Sequence, residues 1–206
     1  MVEQSIFVVD DDEAVRDSIK ELVESVGLHA QTFESAQAFL DVYSADAAGC
    51  LVLDVRMSHM SGPALQTRLK AQGCSLPIIF ITGHGDIDTA VEAMKAGAVD
   101  FVQKPYHEQN LLDCINKALE LDAQNRDADR KQQSLEEHLA KLTEREHEVM
   151  DLLVQGLANK AIAQRLSISP RTVEVHRQHV LEKCSVKSLA QLVSLFNHTA
   201  DDTPLR

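Results

Sequence analysis

Long hydrophobic runs are missing from this 206-residue sequence. No apolar stretch approaches the roughly 18 residues that a membrane-spanning helix requires, and the opening MVEQSIFVV is acidic where a secretory signal is basic. The expectation is a cytoplasmic protein without a membrane partner. Cysteine is scarce as well. Cys50, Cys74, Cys114 and Cys184 lie far apart without CxxC spacing, which argues against a zinc site or a disulfide framework and for buried or half-buried thiols. Positive charge is the third shortage, with 20 Lys and Arg against 32 Asp and Glu and a net charge of −12. The deficit is local. Residues 1–122 hold 20 acidic and 8 basic side chains, whereas residues 142–199 hold 6 and 7. Only the second stretch is suited to meeting a polyanion.

What is present is periodic. Hydrophobic residues make up 44% of the chain, enough for a core in each of one or two domains. Apolar β-forming runs at residues 5–9, 29–33, 50–53, 77–81 and 99–102 each precede a stretch with apolar residues at three and four spacing. Five such repeats predict a parallel sheet covered by helices on both faces, an α/β doubly wound fold. One helical stripe joins Val15, Ile19, Leu22, Val23 and Val26 and stops at Gly27; the last, over 111–121, carries Leu112, Ile115 and Leu119 on one side. Residues 122–134, DAQNRDADRKQQS, have almost no large apolar side chain and no Gly or Pro, which suits an exposed helical linker over 122–137. Beyond it the pattern is all-helical. Thr143 and Glu146 have capping-box spacing, Gly156 is a stop, Ser169-Pro170 opens a long helix over 171–183, and a fourth helix is predicted over 188–198. A short helix, a tight connection and a longer exposed helix form the helix-turn-helix pattern.

Directly after the first apolar run come four carboxylates, Asp10, Asp11, Asp12 and Glu13. In an open parallel sheet ligands collect beyond the carboxyl ends of the strands, where strand order reverses. Asp10 and Asp11 end the first strand, Asp54 the third, Thr82 the fourth and Lys104 the fifth. Clustered carboxylates repel unless a cation compensates, and hard oxygen donors at a phosphate-handling site favour Mg²⁺ (or Mn²⁺). Asp54 is then a nucleophile able to form an acyl phosphate, with Lys104 and Thr82 placed to bind the phosphoryl oxygens. An Asp pair after a strand also serves simply to cap the next helix. Phe101 is a core aromatic by default, and His84 a solvated loop residue. His176 and His179 share a helix face at metal-like spacing but lack a third ligand, so a structural or phosphate-contacting role fits them better than zinc.

The segments VVDDDEAVR, LVLDVRM, FITGHGD, VEAMKAGAVDFVQKP and LTEREHEVM…GLANKAIAQRLSISPRTVEVHRQHV together resemble a two-component response regulator of the FixJ type. Its parts would be a CheY-like (flavodoxin-like) receiver with a five-stranded sheet over 5–121 and a four-helix domain of the NarL/LuxR helix-turn-helix type over 138–203. The resemblance implies Mg²⁺ ligation by Asp11, Asp54 and the backbone carbonyl of Arg56, with Asp10 supporting through water. It implies Asp54 as phosphoacceptor, Thr82 and Lys104 as phosphate sensors, and Phe101 as a rotamer switch. Val91, Lys95 and Leu111 are the expected dimer contacts. The implied partners are a sensor histidine kinase, a second copy of the chain, duplex DNA carrying two half-sites, and RNA polymerase. Ser58 and His59 depart from the family, which usually has Pro and then Asp or Gly there.

In the long helix, Val173 and Val180 are seven apart and should face inward. Glu174, Val175 and Gln178 then face outward toward base edges, an outward valine suiting a thymine methyl. Thr172 belongs to the same surface, while Arg171, Arg177 and Lys183, with Lys160 of the preceding helix, are expected to meet phosphates. A Mg²⁺-dependent phosphatase of the haloacid dehalogenase type is the rival enzyme reading. It would place its nucleophile in a DxD motif on the first strand, under a cap. Here Asp54 ends the third strand and no cap-sized insertion exists, so a regulator rather than a dedicated enzyme is expected. A receiver coupled to a protein-binding helical module differs only in whether 138–200 binds DNA.

Overall fold

The computed structural model describes residues 4–83 and 87–193 and divides the chain into two compact units, with the boundary between Arg126 and Asp127. His84 and residues 194–198 of the helix expected over 188–198 lie outside the described residues.

In the first unit, β1 (Ser5–Val9), β2 (His29–Phe33), β3 (Gly49–Asp54), β4 (Ile78–Thr82) and β5 (Asp100–Gln103) alternate with α1 (Glu13–Ser25), α2 (Ala36–Val42), α3 (Gly62–Ala71), α4 (Ile87–Lys95) and the first part of α5 (Glu108–Leu139), which runs past Arg126. All strand pairs are parallel, in the order β2-β1-β3-β4-β5. Side chains alternate across a strand, so β1, β3 and β4 each feed two cores. Ile6, Val8, Val52, Ile79 and Ile81 pack with Ile19 and Val23 of α1 and Leu111 and Ile115 of α5. Phe7, Val9, Leu51, Leu53 and Phe80 pack with Phe39 of α2 and Leu65 and Leu69 of α3. Burial on both faces explains why β1, β3 and β4 read as continuous apolar runs. The order reverses between β1 and β3, placing a crevice beyond the ends of those two strands.

α5 differs from expectation twice. Its inward stripe is Leu111, Ile115, Ala118 and Leu119, with Leu111 wholly buried. Leu112 is half-buried. Leu111 is therefore a core residue and not a dimer contact. Both spacings are helical, and packing against the sheet selects one. The helix is 32 residues long in all and takes in the expected helical linker without a break. Its charged residues are not all solvated: Asp122 is 1% exposed and accepts from the Gly49 N–H and Gln4 Nε2, both at 3.0 Å, and from Arg126 Nε at 3.1 Å. Arg126 also donates to the Asp46 and Ala47 carbonyls.

The second unit contains α6 (Glu144–Val154), α7 (Asn159–Leu166) and α8 (Pro170–Lys183), with residues 189–193 helical. The Thr143–Glu146 capping box opens α6 and Ser169 caps α8 ahead of Pro170. Val149, Leu152, Leu153, Ile162, Ala163 and Val173 form one cluster; Leu142, Met150, Val180, Cys184 and Leu192 form another. Cys50 and Cys184 are buried thiols, Cys74 and Cys114 half-buried ones.

Candidate functional site

Strand register assembles the first site. Val9 pairs with Leu53, Asp54 with Ile81, and Thr82 with Gln103, so Asp10, Asp54, Thr82 and Lys104 emerge side by side at one sheet edge. Asp10, Asp54 and Thr82 are buried despite their polarity. Lys104 holds the group together: its ammonium donates to Asp10 Oδ2 at 2.8 Å and to Asp54 Oδ1 at 2.7 Å. The other Asp54 oxygen accepts from the Arg56 N–H at 2.7 Å. Burial pushes the Asp54 carboxyl above its ordinary value, the Lys104 hydrogen bond pulls it back, and the charge of Asp10 raises it again. Burial opposes the Lys104 ammonium, but hydrogen bonds to Asp10 and Asp54 prevail and raise its pKa.

The four-carboxylate run divides its labour. Asp10 Oδ1 accepts from the Asp12 N–H at 2.9 Å, while Asp12 caps α1 by accepting from the Ala14 N–H at 2.9 Å. Glu13 lies in the first helical turn, where the dipole favours an acid. The capping role is thus real for Asp12. Asp11 is exposed and accepts from the Ser58 N–H at 2.8 Å. Among the described residues, no three carboxylate, imidazole or thiol side chains converge into a ready-made metal cage. Asp10 and Asp54 share the Lys104 ammonium, while Asp11 meets the loop after β3 through the Ser58 N–H. The donors still fit a hard cation: Asp10 and Asp54 share one ammonium, and Mg²⁺ needs only one or two carboxylates beside carbonyl oxygen and water.

The Thr82 hydroxyl donates to the Gly83 carbonyl at 3.0 Å. Phe101 pairs with Phe80 and Gln103 with Thr82, which puts Phe101 and Thr82 on one face of the sheet, and Phe101 is 43% exposed. It lies outside the core, beside a shallow groove of about 440 Å³ also lined by Tyr106, Asn110 and Cys114. Val91 and Lys95 on α4 are exposed.

On α8, Val173 and Val180 are wholly buried, and Arg171, Thr172, Glu174, Val175 and Gln178 are exposed. Arg177 is half-buried and Lys160 on α7 exposed. Thr172 is tied to the helix start, its N–H donating to Ser169 Oγ at 3.0 Å. Lys183 also has a structural partner, its ammonium donating to Glu146 Oε2 at 2.6 Å. Buried Glu146 also accepts from the Thr143 N–H at 2.8 Å, and His179 Nδ1 lies 3.5 Å from its other oxygen. The Lys183 and Thr143 hydrogen bonds hold the Glu146 carboxyl down at about 2. The sequence signal for the cap was its spacing; nothing in spacing pointed to Lys183, which lies 37 residues away.

Comparison with known proteins gives a concordant result. Residues 6–116 match the family "Response regulator receiver domain" and residues 140–196 match "Bacterial regulatory proteins, luxR family". The response regulator protein TodT of Pseudomonas putida is 44% identical over 196 residues, covering 95% of this chain and 86% of TodT. The transcriptional regulatory protein FixJ of Bradyrhizobium diazoefficiens is 44% identical over 190 residues, covering 92% and 93%. The structure of response regulator StyR matches with a TM-score of 0.88 at 46% identity, covering 95% of this chain and 99% of that one. This chain therefore belongs to the two-component response regulators, regulators of transcription rather than dedicated enzymes, with a CheY-like receiver and a DNA-binding output domain of the luxR family.

Proposed function

We propose that Asp54 accepts a phosphoryl group from a histidine kinase and that the modified chain dimerises and binds two DNA half-sites in sequence-specific fashion. The observation that carries this reading is the Lys104 ammonium shared between buried Asp10 and Asp54. An ionised Asp54 oxygen attacks phosphorus, forming an O–P bond as the P–N bond to the donor imidazole breaks and that ring nitrogen takes up a proton. The Lys104 hydrogen bond favours the ionised form of Asp54 against its burial; once the acyl phosphate exists, the ammonium is placed to pair with the phosphoryl oxygens. Thr82 gives up its bond to the Gly83 carbonyl and donates to the phosphoryl group, and Phe101 turns inward on the same sheet face. Asp11, Asp54 and the Arg56 carbonyl, with Asp10 behind them, would hold Mg²⁺ or Mn²⁺, which when bound neutralises the phosphoryl oxygens.

The changed face comprises Val91 and Lys95 of α4, Phe101 of β5 and the outer side of α5. Dimerisation there brings two output domains to a two-half-site operator, where RNA polymerase is the expected final partner. Incubation with a small acyl-phosphate donor and Mg²⁺ should label wild-type protein with a base-labile phosphate and convert monomer to dimer in sedimentation. Asp54→Ala should take up none, and label retained elsewhere would remove Asp54 from the role. Val91→Asp should be labelled normally yet stay monomeric, because an unpaired carboxylate is costly to bury in a modest interface. A labelled dimer of that variant would place the interface elsewhere.

A further inference from the structure

We propose that the backbone N–H of Ser58 is a latch on Asp11, released when a divalent cation binds, so that the loop joining β3 to α3 responds to the metal before any phosphoryl group arrives. The proposal rests on the reading of Asp11 as a ligand. In this structure the Asp11 carboxylate is engaged by the Ser58 N–H at 2.8 Å, whereas Asp10 and Asp54 share the Lys104 ammonium. A cation ligated by that Asp11 oxygen competes with the Ser58 N–H for it.

The donor is built in by the backbone. The Ser58 carbonyl accepts from the Met60 N–H at 2.8 Å across His59, which takes the left-handed conformation at φ 70°. Two positions before the latch, the Arg56 N–H is fixed on Asp54 Oδ2 at 2.7 Å, and after it the Gly62 N–H closes the loop onto the Val55 carbonyl at 3.0 Å. The loop thus aims one amide at each of two carboxylates from a short, hydrogen-bonded turn. The Ser58 side chain is not involved in this bond; any residue except proline supplies the donor. A charge-assisted hydrogen bond held in the cation-free state competes with ligation, so its removal should tighten cation binding.

The test uses the full-length chain and Mg²⁺ alone. In ¹⁵N-labelled wild-type protein the Ser58 amide proton should begin at a hydrogen-bonded, downfield position. It should move upfield as MgCl₂ is added, with the same midpoint as the heat of binding. Ser58→Pro should bind Mg²⁺ about threefold to tenfold more tightly by calorimetry, and Ser58→Ala, which keeps the N–H, at wild-type affinity. An amide proton that stays in place while Mg²⁺ saturates the site overturns the latch and leaves the metal reading intact. Wild-type affinity in a natively folded Ser58→Pro does the same. Should the proline variant lose its native spectrum, the wild-type amide titration decides. Absence of Mg²⁺ binding in wild-type protein overturns the ligand role of Asp11 and the latch together.

Discussion

A methyl group at position 62 has nowhere to go. A Cβ there would lie 2.3 Å from the Asp54 carbonyl oxygen and 2.8 Å from Phe80 Cε1, so the start of α3 touches the backbone of Asp54. Gly62→Ala should lower stability by about 1–3 kcal/mol and slow acyl-phosphate formation; denaturant midpoints and labelling rates at both neutral in the variant would contradict the contact. Asp10, Asp54, Thr82 and Lys104 were legible in the sequence because each ends an apolar run, whereas Gly62 has no chemistry of its own and acquires importance only through what packs against it. Glu146 presents the converse case, legible as a cap and not as an ion-pair partner. Its folded pKa, about 2 against an ordinary 4.5, is depressed. Its contribution to stability is therefore fully present above pH 4.5 and lost as pH falls toward 2. Glu146→Gln should flatten the acid dependence of output-domain unfolding in that window and lower neutral-pH stability by about 2–3 kcal/mol, the worth of charge-assisted bonds. An unchanged acid profile would assign the dependence to other groups.

Among helices, legibility followed the sharpness of the pattern. α8 carries a cap, a Pro and two valines seven apart, and its inner face is the one expected. α5 offers two leucines in succession, and periodicity alone does not select between them; contact with the sheet buries Leu111. The orientation of α8 makes a divided expectation for DNA binding. Glu174 faces outward and is suited to accept from a cytosine amino group while being repelled by phosphates. Glu174→Ala should relax base preference, changing affinity by roughly 1–3 kcal/mol at one operator position, with little loss of non-specific binding. Arg171→Ala should weaken all duplexes and reduce the salt slope by about one. Lys183, held by Glu146, should act on DNA mainly through the placement of α8. Titrations against single-base operator variants at several salt concentrations separate these outcomes, and the reverse assignment would mean that α8 meets DNA through another face.

The division of the chain is where composition misleads most. A run of polar residues beginning at Asp122 reads as a solvated linker, yet Asp122 and Arg126 fasten α5 to Gln4, Gly49 and the 46–47 loop. The first compact unit accordingly extends to Arg126. Asp122→Ala leaves the Gly49 N–H and the Arg126 guanidinium without this carboxylate, and should cost the receiver about 3 kcal/mol or more. A fragment ending at residue 121 should likewise unfold at lower denaturant than one ending at 126. Equal midpoints for the two fragments would return the boundary to where composition puts it.

The number of βα units, the helical second half, the strand ends that carry polar groups and the caps of α6 and α8 were all determined by the sequence alone, because each is a local pattern of period two, period near four, or fixed offset. Tertiary structure decided which leucine of α5 is buried, which acid of the pair joins Lys104, what Asp122 and Lys183 hold, and how closely Gly62 meets Asp54. Each of these depends on partners brought together by strand register or helix packing. Hydrogen bonds across tens of residues leave no periodic trace in the chain.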